Sequence, residues 1–184
     1  WPSQNNVLFL LAFLQKQYLP RPQLAFAKKF IDKNLIKVIS GPRRSGKSVF
    51  CFLLLQDKNF AYVNFDDDTL LKHSTDEIMK GVFEVYPDSQ IIFFDEIQNL
   101  ENWELFVNKL HRRGYNLILT GSNSKLLSRE LASALTGRYV CIEILPFSFR
   151  EFLQVKGIPM TPDSFAIPEE KGKILNHLEY YIET

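Results

Sequence analysis

Gly41-Pro42-Arg43-Arg44-Ser45-Gly46-Lys47-Ser48 fits the pattern G-x-x-x-x-G-K-[ST]. The pattern describes a physical device. Its glycines let the backbone turn tightly, so that several N–H groups point inward at phosphate oxygens. Its lysine reaches the β and γ phosphates, and its last hydroxyl ligates Mg²⁺. The flanks supply the setting such a loop needs. Leu35–Ser40 is a short apolar run suited to a strand, and Val49–Gln56 is an apolar run readable as a helix. Strand, loop and helix in that order support a phosphate-binding loop over a Gly-rich turn that binds nothing. The candidate nucleotide-binding set is therefore Gly41, Pro42, Arg43, Arg44, Ser45, Gly46, Lys47, Ser48 and Val49. Arg43 and Arg44 have two readings, as phosphate contacts or as residues facing solvent or a partner subunit.

A second signal lies downstream. Ile91-Ile-Phe-Phe-Asp95-Glu96 places two acids at the end of an uninterrupted apolar run, the signature of a strand covered on both faces. In open α/β sheets ligands bind outside the carboxyl ends of the strands. Asp95 is then a candidate for holding Mg²⁺ together with Ser48. Glu96 is a candidate general base for an attacking water. An ordinary acidic strand-to-loop turn is the competing reading. An adjacent glutamate argues for nucleotide hydrolysis over transfer to a small acceptor, because water needs a base.

Elements alternate along the rest of the chain. The spacing predicts helices over Trp1–Gln17 and Gln23–Asn34, broken by Tyr18-Leu-Pro-Arg-Pro22, and another over Lys47–Asp57. Asn59–Asp66 is rich in β-formers and reads as a strand. Ser74-Thr-Asp-Glu77 has capping-box spacing ahead of an amphipathic helix that ends at Pro87. Trp103, Phe106, Val107 and Leu110 mark one buried helical face. Tyr115–Thr120 and Val140–Leu145 are expected strands, with a helix through Leu126, Leu127, Leu131, Ala134 and Leu135 between them. This alternation predicts an α/β fold with a largely parallel sheet and helices on both faces. Beyond Pro146 come a short helix over Ser148–Lys156, a Pro-containing loop over Gly157–Pro168 and a helix over Glu169–Thr184. Three regions are expected: a helical segment 1–34, a core 35–146 and a helical extension 147–184 that begins a lid or a linker.

The 184 residues are 46% hydrophobic, enough for one sizeable core. Lys+Arg of 22 against Asp+Glu of 21 leaves a net charge of +1, unlike a dedicated nucleic-acid module. Cys51 and Cys141 both sit in apolar runs and read as free thiols in a reducing compartment. Val7–Leu14 is too short to span a bilayer, and no signal-peptide features flank it. A cytoplasmic protein with no membrane association is expected.

Further polar residues cluster at strand ends. Leu119-Thr120-Gly121-Ser122-Asn123 offers Ser122 and Asn123 as sensors that orient water or touch the γ-phosphate; either could instead cap the next helix. Arg138, in Thr136-Gly137-Arg138, could reach the nucleotide of a neighbouring subunit in a homo-oligomer, or be a solvated arginine. Asn64 could contact Glu96, and Asp66-Asp67-Asp68 reads as a solvated turn. His73, His111 and His177 read as structural.

Together these motifs resemble a known group. The sequences Gly41–Ser48, Val63-Asn-Phe-Asp-Asp67, Phe94-Asp-Glu-Ile-Gln98, Leu119-Thr-Gly-Ser122, Leu135-Thr-Gly-Arg138 and Pro146-Phe-Ser-Phe-Arg-Glu-Phe152 occur in that order. They look like the prokaryotic AAA-type P-loop ATPases that carry a C-terminal domain of unknown function, often described as nuclease-like. The resemblance covers roughly residues 18–184 and implies a five-stranded AAA-like sheet in the order 5-1-4-3-2. It also implies ATP with Mg²⁺, and a trans-acting role for Arg138. Family members commonly carry Thr where Ser48 stands; both supply the hydroxyl. The chain reads as truncated before the C-terminal domain. Three activities are open: an Mg²⁺-dependent ATPase completed by a neighbouring subunit, a nucleotide-gated binding or signalling module with little turnover, and a small-molecule kinase. No DNA or protein client is identified by the residues.

Overall fold

Strand β1, Ile36–Gly41, is buried along its whole length and lies between two other strands. The computed structural model describes residues 18–122, 135 and 137–183. Around β1 are β2 (Phe60–Asn64), β3 (Ile91–Asp95), β4 (Asn116–Ser122) and β5 (Tyr139–Glu143). Their order is β2-β3-β4-β1-β5, and every pairing is parallel. Read from the other edge, this is the order 5-1-4-3-2. All the expected strands are present, with ends offset by a residue or two.

The described helices are α1 (Gln23–Lys28), α2 (Lys47–Leu55), α3 (Thr75–Val85), α4 (Trp103–Arg112), α5 (Phe149–Val155) and α6 (Pro168–Glu183). None of them is long and apolar enough to cross a membrane. The helices expected over Trp1–Gln17 and Leu126–Leu135 lie outside the described residues, apart from Leu135 itself.

Two units are distinct, one running to Ile144 and the other from Leu145. In the first, successive strand residues alternate between two cores, as the pleat requires. Val38, Val63, Phe94, Leu117 and Leu119 pack with Met79, Val82, Trp103, Phe106 and Leu110 of α3 and α4. Ile39, Tyr62, Phe93 and Ile118 pack on the other face with Ala27, Phe50, Phe52 and Leu55 of α1 and α2. The sheet is therefore covered on both sides, which is why β1 and β3 carry so few polar residues. The expected capping box forms at α3: the Glu77 N–H donates to Ser74 Oγ at 3.3 Å, and the Ser74 N–H to Glu77 Oε2 at 2.8 Å.

Helix α1 stops at Lys28, short of the Asn34 that periodicity suggests. The physical reason is tertiary. Asn116 Nδ2 donates to the Ile31 carbonyl at 2.6 Å, and Lys37 Nζ donates to the Lys33 carbonyl at 2.7 Å. These side chains satisfy the carbonyls from the base of the sheet, so the chain turns toward β1. Lys37 also donates to Asn116 Oδ1 at 2.7 Å and is fully buried. Burial lowers its ammonium to about 8, while Asp32 nearby acts to raise it.

In the second unit, Ser148 and Glu151 build a further capping box at the start of α5. The ring of Phe152 meets Tyr181 at 5.5 Å, joining α5 to α6, and Tyr181 donates its hydroxyl to the Phe147 carbonyl.

Candidate nucleotide site

The loop between β1 and α2 lies at the carboxyl edge of the sheet. Gly41 admits no side chain, because a Cβ there would stand 2.0 Å from the carbonyl oxygen of Ile144. Gly46 opens α2 with φ of 88°, a left-handed conformation that favours glycine. Arg44 shares that region at φ of 63°. Pro42, Arg43 and Arg44 are exposed, and Val49 is half-buried. Ser45 is buried, and its Oγ has no hydrogen-bond partner among the described residues.

Lys47 is buried and bends back over the loop. Its Nζ donates to the carbonyls of Gly41 at 3.3 Å and Pro42 at 3.0 Å, and lies 3.6 Å from Glu96 Oε1. Ser48 donates its hydroxyl to Asp95 Oδ1 at 3.1 Å. Residues 47 positions apart in the chain are thus joined, because α2 starts where β1 ends and β3 ends nearby.

Asp95 is 4% exposed and accepts two further hydroxyls. Thr120, on β4, donates to Oδ1, and Tyr62, on β2, donates to Oδ2 at 3.1 Å. Burial pushes the Asp95 carboxyl above its ordinary range. The hydrogen bonds from Thr120, Ser48 and Tyr62 pull it down, and the charge of Glu96 adds to the rise. Burial, with Asp95 adjacent, also holds the Tyr62 phenol far above its usual range, so it is a donor at any working pH. Cys51, on the same side, is pushed well up, first by burial, and stays a thiol.

Glu96 sits in a left-handed turn at φ of 52°. Its N–H donates to Thr120 Oγ1 at 3.0 Å, and its Oε2 accepts from Gln98 Nε2 at 2.6 Å. Thr120 therefore bridges the two acids. Asn64 takes no such place: its Oδ1 accepts from the Asp66 N–H at 3.0 Å and closes its own turn.

The structure brings Lys47, Ser48, Asp95 and Glu96 together at one edge. Ser122 pairs in register with Gly41 and so stands beside the loop. Asn123 lies outside the described residues. Arg138 is at the other end. It immediately precedes β5, its carbonyl accepts from the Ile36 N–H at 2.8 Å, and its side chain is exposed. The length of β1, roughly 16 Å at the usual rise, separates that end from its own phosphate loop. Tyr62, Thr120 and Gln98 were not singled out by sequence reasoning. Each occurs inside a stretch already assigned as strand or acidic motif, and nothing in its spacing marks it.

The donor set fits a nucleotide with Mg²⁺. A hydroxyl and a carboxylate meet at the carboxyl edge, a lysine ammonium lies alongside, and the Ser45 Oγ, without a partner among the described residues, sits within the loop. A parallel α/β sheet carrying this loop defines the class of P-loop nucleotide-binding proteins.

The chain belongs to the family described as "AAA domain", which matches residues 33–153. It is 40% identical to an uncharacterized protein of Methanocaldococcus jannaschii, MJ1544, over 82% of this chain and 35% of that one. It is 43% identical to an uncharacterized protein of Haemophilus influenzae over 71% of this chain and 36% of that one. The chain thus spans about a third of the length of these relatives. Among solved structures it is similar to Pif1 helicase from Candida albicans, with 14% identity, a TM-score of 0.48 and coverage of 76% of this chain and 42% of that one. It is also similar to Saccharomyces cerevisiae RIF2, with 19% identity, a TM-score of 0.49 and coverage of 93% and 74%.

Proposed function

We propose that this chain binds and hydrolyses ATP at the β–γ phosphoanhydride, in an Mg²⁺-dependent manner, with a neighbouring subunit completing the site. The observation that carries the reading is the 3.1 Å contact of Ser48 Oγ with Asp95 Oδ1, beside an ammonium and a second carboxylate. Ser48 and Asp95 would hold Mg²⁺, which when bound offsets phosphate charge and orients the terminal phosphoryl group.

The chain's own residues divide the remaining work. Backbone N–H groups of the loop and Lys47 bind and orient the β and γ phosphates. Glu96 takes a proton from water as that water attacks the γ-phosphorus, and ADP departs with the bridging oxygen. Ser122 or Asn123 senses the γ-phosphate. Arg138 acts in trans, where its distance from its own loop is no obstacle. The test is steady-state ATP hydrolysis against protein concentration, for the parent and Glu96→Gln. Specific activity should rise with concentration and vanish in the variant. A background rate at every concentration, despite Mg·ATP binding, would remove hydrolysis from the reading.

One observation favours a second reading, a nucleotide-gated module with little turnover. Glu96 is engaged by both Lys47 and Gln98, so the candidate base is tied down. In that reading nucleotide binding would draw Lys47 away and release Glu96 to reshape its turn.

A further inference from the structure

Tyr62 lies on the edge strand β2, in register with Phe93. Its ring meets Phe52 at 5.0 Å and 65°, and Phe93 at 5.2 Å and 42°. Phe52 and Phe93 also meet each other, at 5.5 Å and 75°. Phe52 follows Ser48 by one turn on α2. The tyrosine ring is therefore clamped between the strand that ends in Asp95 and the helix that begins at the phosphate loop.

An aspartate carboxylate rotates in a broad well about χ2. Donors on one oxygen leave that rotation soft, whereas a donor on each oxygen fixes the plane. Ser48 and Thr120 both donate to Asp95 Oδ1, and Tyr62 donates to Oδ2. A Ser48 hydroxyl recruited by a cation no longer holds Asp95. Thr120 and Tyr62 then keep the carboxylate in place, one on each oxygen.

We propose that Tyr62 is a positioning residue for the Mg²⁺ site: clamped by Phe52 and Phe93, it fixes the Asp95 carboxylate plane so that Oδ1 faces Ser48. The inference rests on the reading of Ser48 and Asp95 as the Mg²⁺ ligands. Partners that orient metal ligands are commonly worth tenfold or more in metal affinity. The alternative is a buried phenol that merely satisfies its own hydrogen bond and stabilises the fold.

The experiment is equilibrium binding of a fluorescent ATP analogue, titrated with Mg²⁺ and repeated in EDTA, with melting temperatures alongside. Tyr62→Phe keeps the ring and removes only the hydroxyl. Its Mg²⁺ midpoint should rise roughly tenfold, while the affinity in EDTA stays with the parent's. Phe52→Leu loosens the clamp and leaves the hydroxyl; its midpoint should move less, in the same direction. A lowered melting temperature with parental Mg²⁺ midpoints in both variants would overturn the inference and make Tyr62 a core residue only. A parent whose nucleotide binding ignores Mg²⁺ would overturn the metal-site reading, and this inference with it.

Discussion

Lys47 and Glu96 face each other with Nζ 3.6 Å from Oε1, while the same ammonium donates to two carbonyls of its own loop. The lysine is thus already held where phosphate oxygens would come, and its partners there are all acceptors. Replacing it removes the one buried positive charge of the loop. Lys47→Ala should bind Mg·ATP at least tenfold more weakly, about 1.4 kcal/mol or more. Isothermal titration of both proteins measures this directly, and equal affinities would rule out the site assignment.

The position of Arg138 at the far edge from its own loop makes a mixing experiment informative. Arg138→Ala should bind ATP as the parent does and lose the activity that rises with concentration. Glu96→Gln should be inactive as well. Mixed together, the two variants should recover part of the rate if one subunit supplies Glu96 and its neighbour Arg138, as proposed. No recovery at any ratio would deny Arg138 a trans role.

Gly41 leaves no room for even a methyl group, with the Ile144 carbonyl oxygen 2.0 Å from where its Cβ would be. Ile144 in turn donates its N–H to the Ser40 carbonyl at 2.8 Å, so the two segments cannot part without losing that bond. Gly41→Ala should destabilise the fold by about 3 kcal/mol, read by urea unfolding. A variant within about 0.5 kcal/mol of the parent would show that the contact relaxes freely.

Burial lowers the Lys37 ammonium to about 8 from its ordinary 10.5. Between those values the unfolded chain binds more protons than the folded one, so stability rises with pH across that window. The rise is bounded at about 3 kcal/mol and should be absent below the folded value. Lys37→Met should lose this part of the slope when unfolding is followed from pH 7 to 11. A slope identical to the parent's would mean that Lys37 titrates normally.

Much of this architecture was legible because its signals are local. Ile91–Phe94 announces a strand by composition, Ser74 and Glu77 announce a helix start by spacing, and Gly41–Ser48 announces its own loop. The strand order followed from the family resemblance, since no local pattern sets it. Periodicity overruns the end of α1 because Asn116, 85 residues beyond Ile31, takes that residue's carbonyl. Thr120 and Tyr62 escaped notice because threonine and tyrosine are ordinary strand residues; only the pairing of β2 and β4 around β3 turns their hydroxyls toward Asp95. The sequence offers Asn64 as a contact of Glu96, yet Gln98, two residues away on the same turn, takes that place.

The position of β1 has a consequence for synthesis on the ribosome. Its hydrogen-bonding partners are β4 and β5, so Lys37 pairs with Ile118 and Val140. A nascent chain that has released β1, β2 and β3 can join β2 to β3, but β1 has no neighbour on either side. One side of its ladder stays open until β4 emerges, and the other until residues near Glu143 do. Such distant pairing slows folding and lengthens the exposure of a sticky strand. The strand that carries the phosphate loop is therefore among the last to be secured.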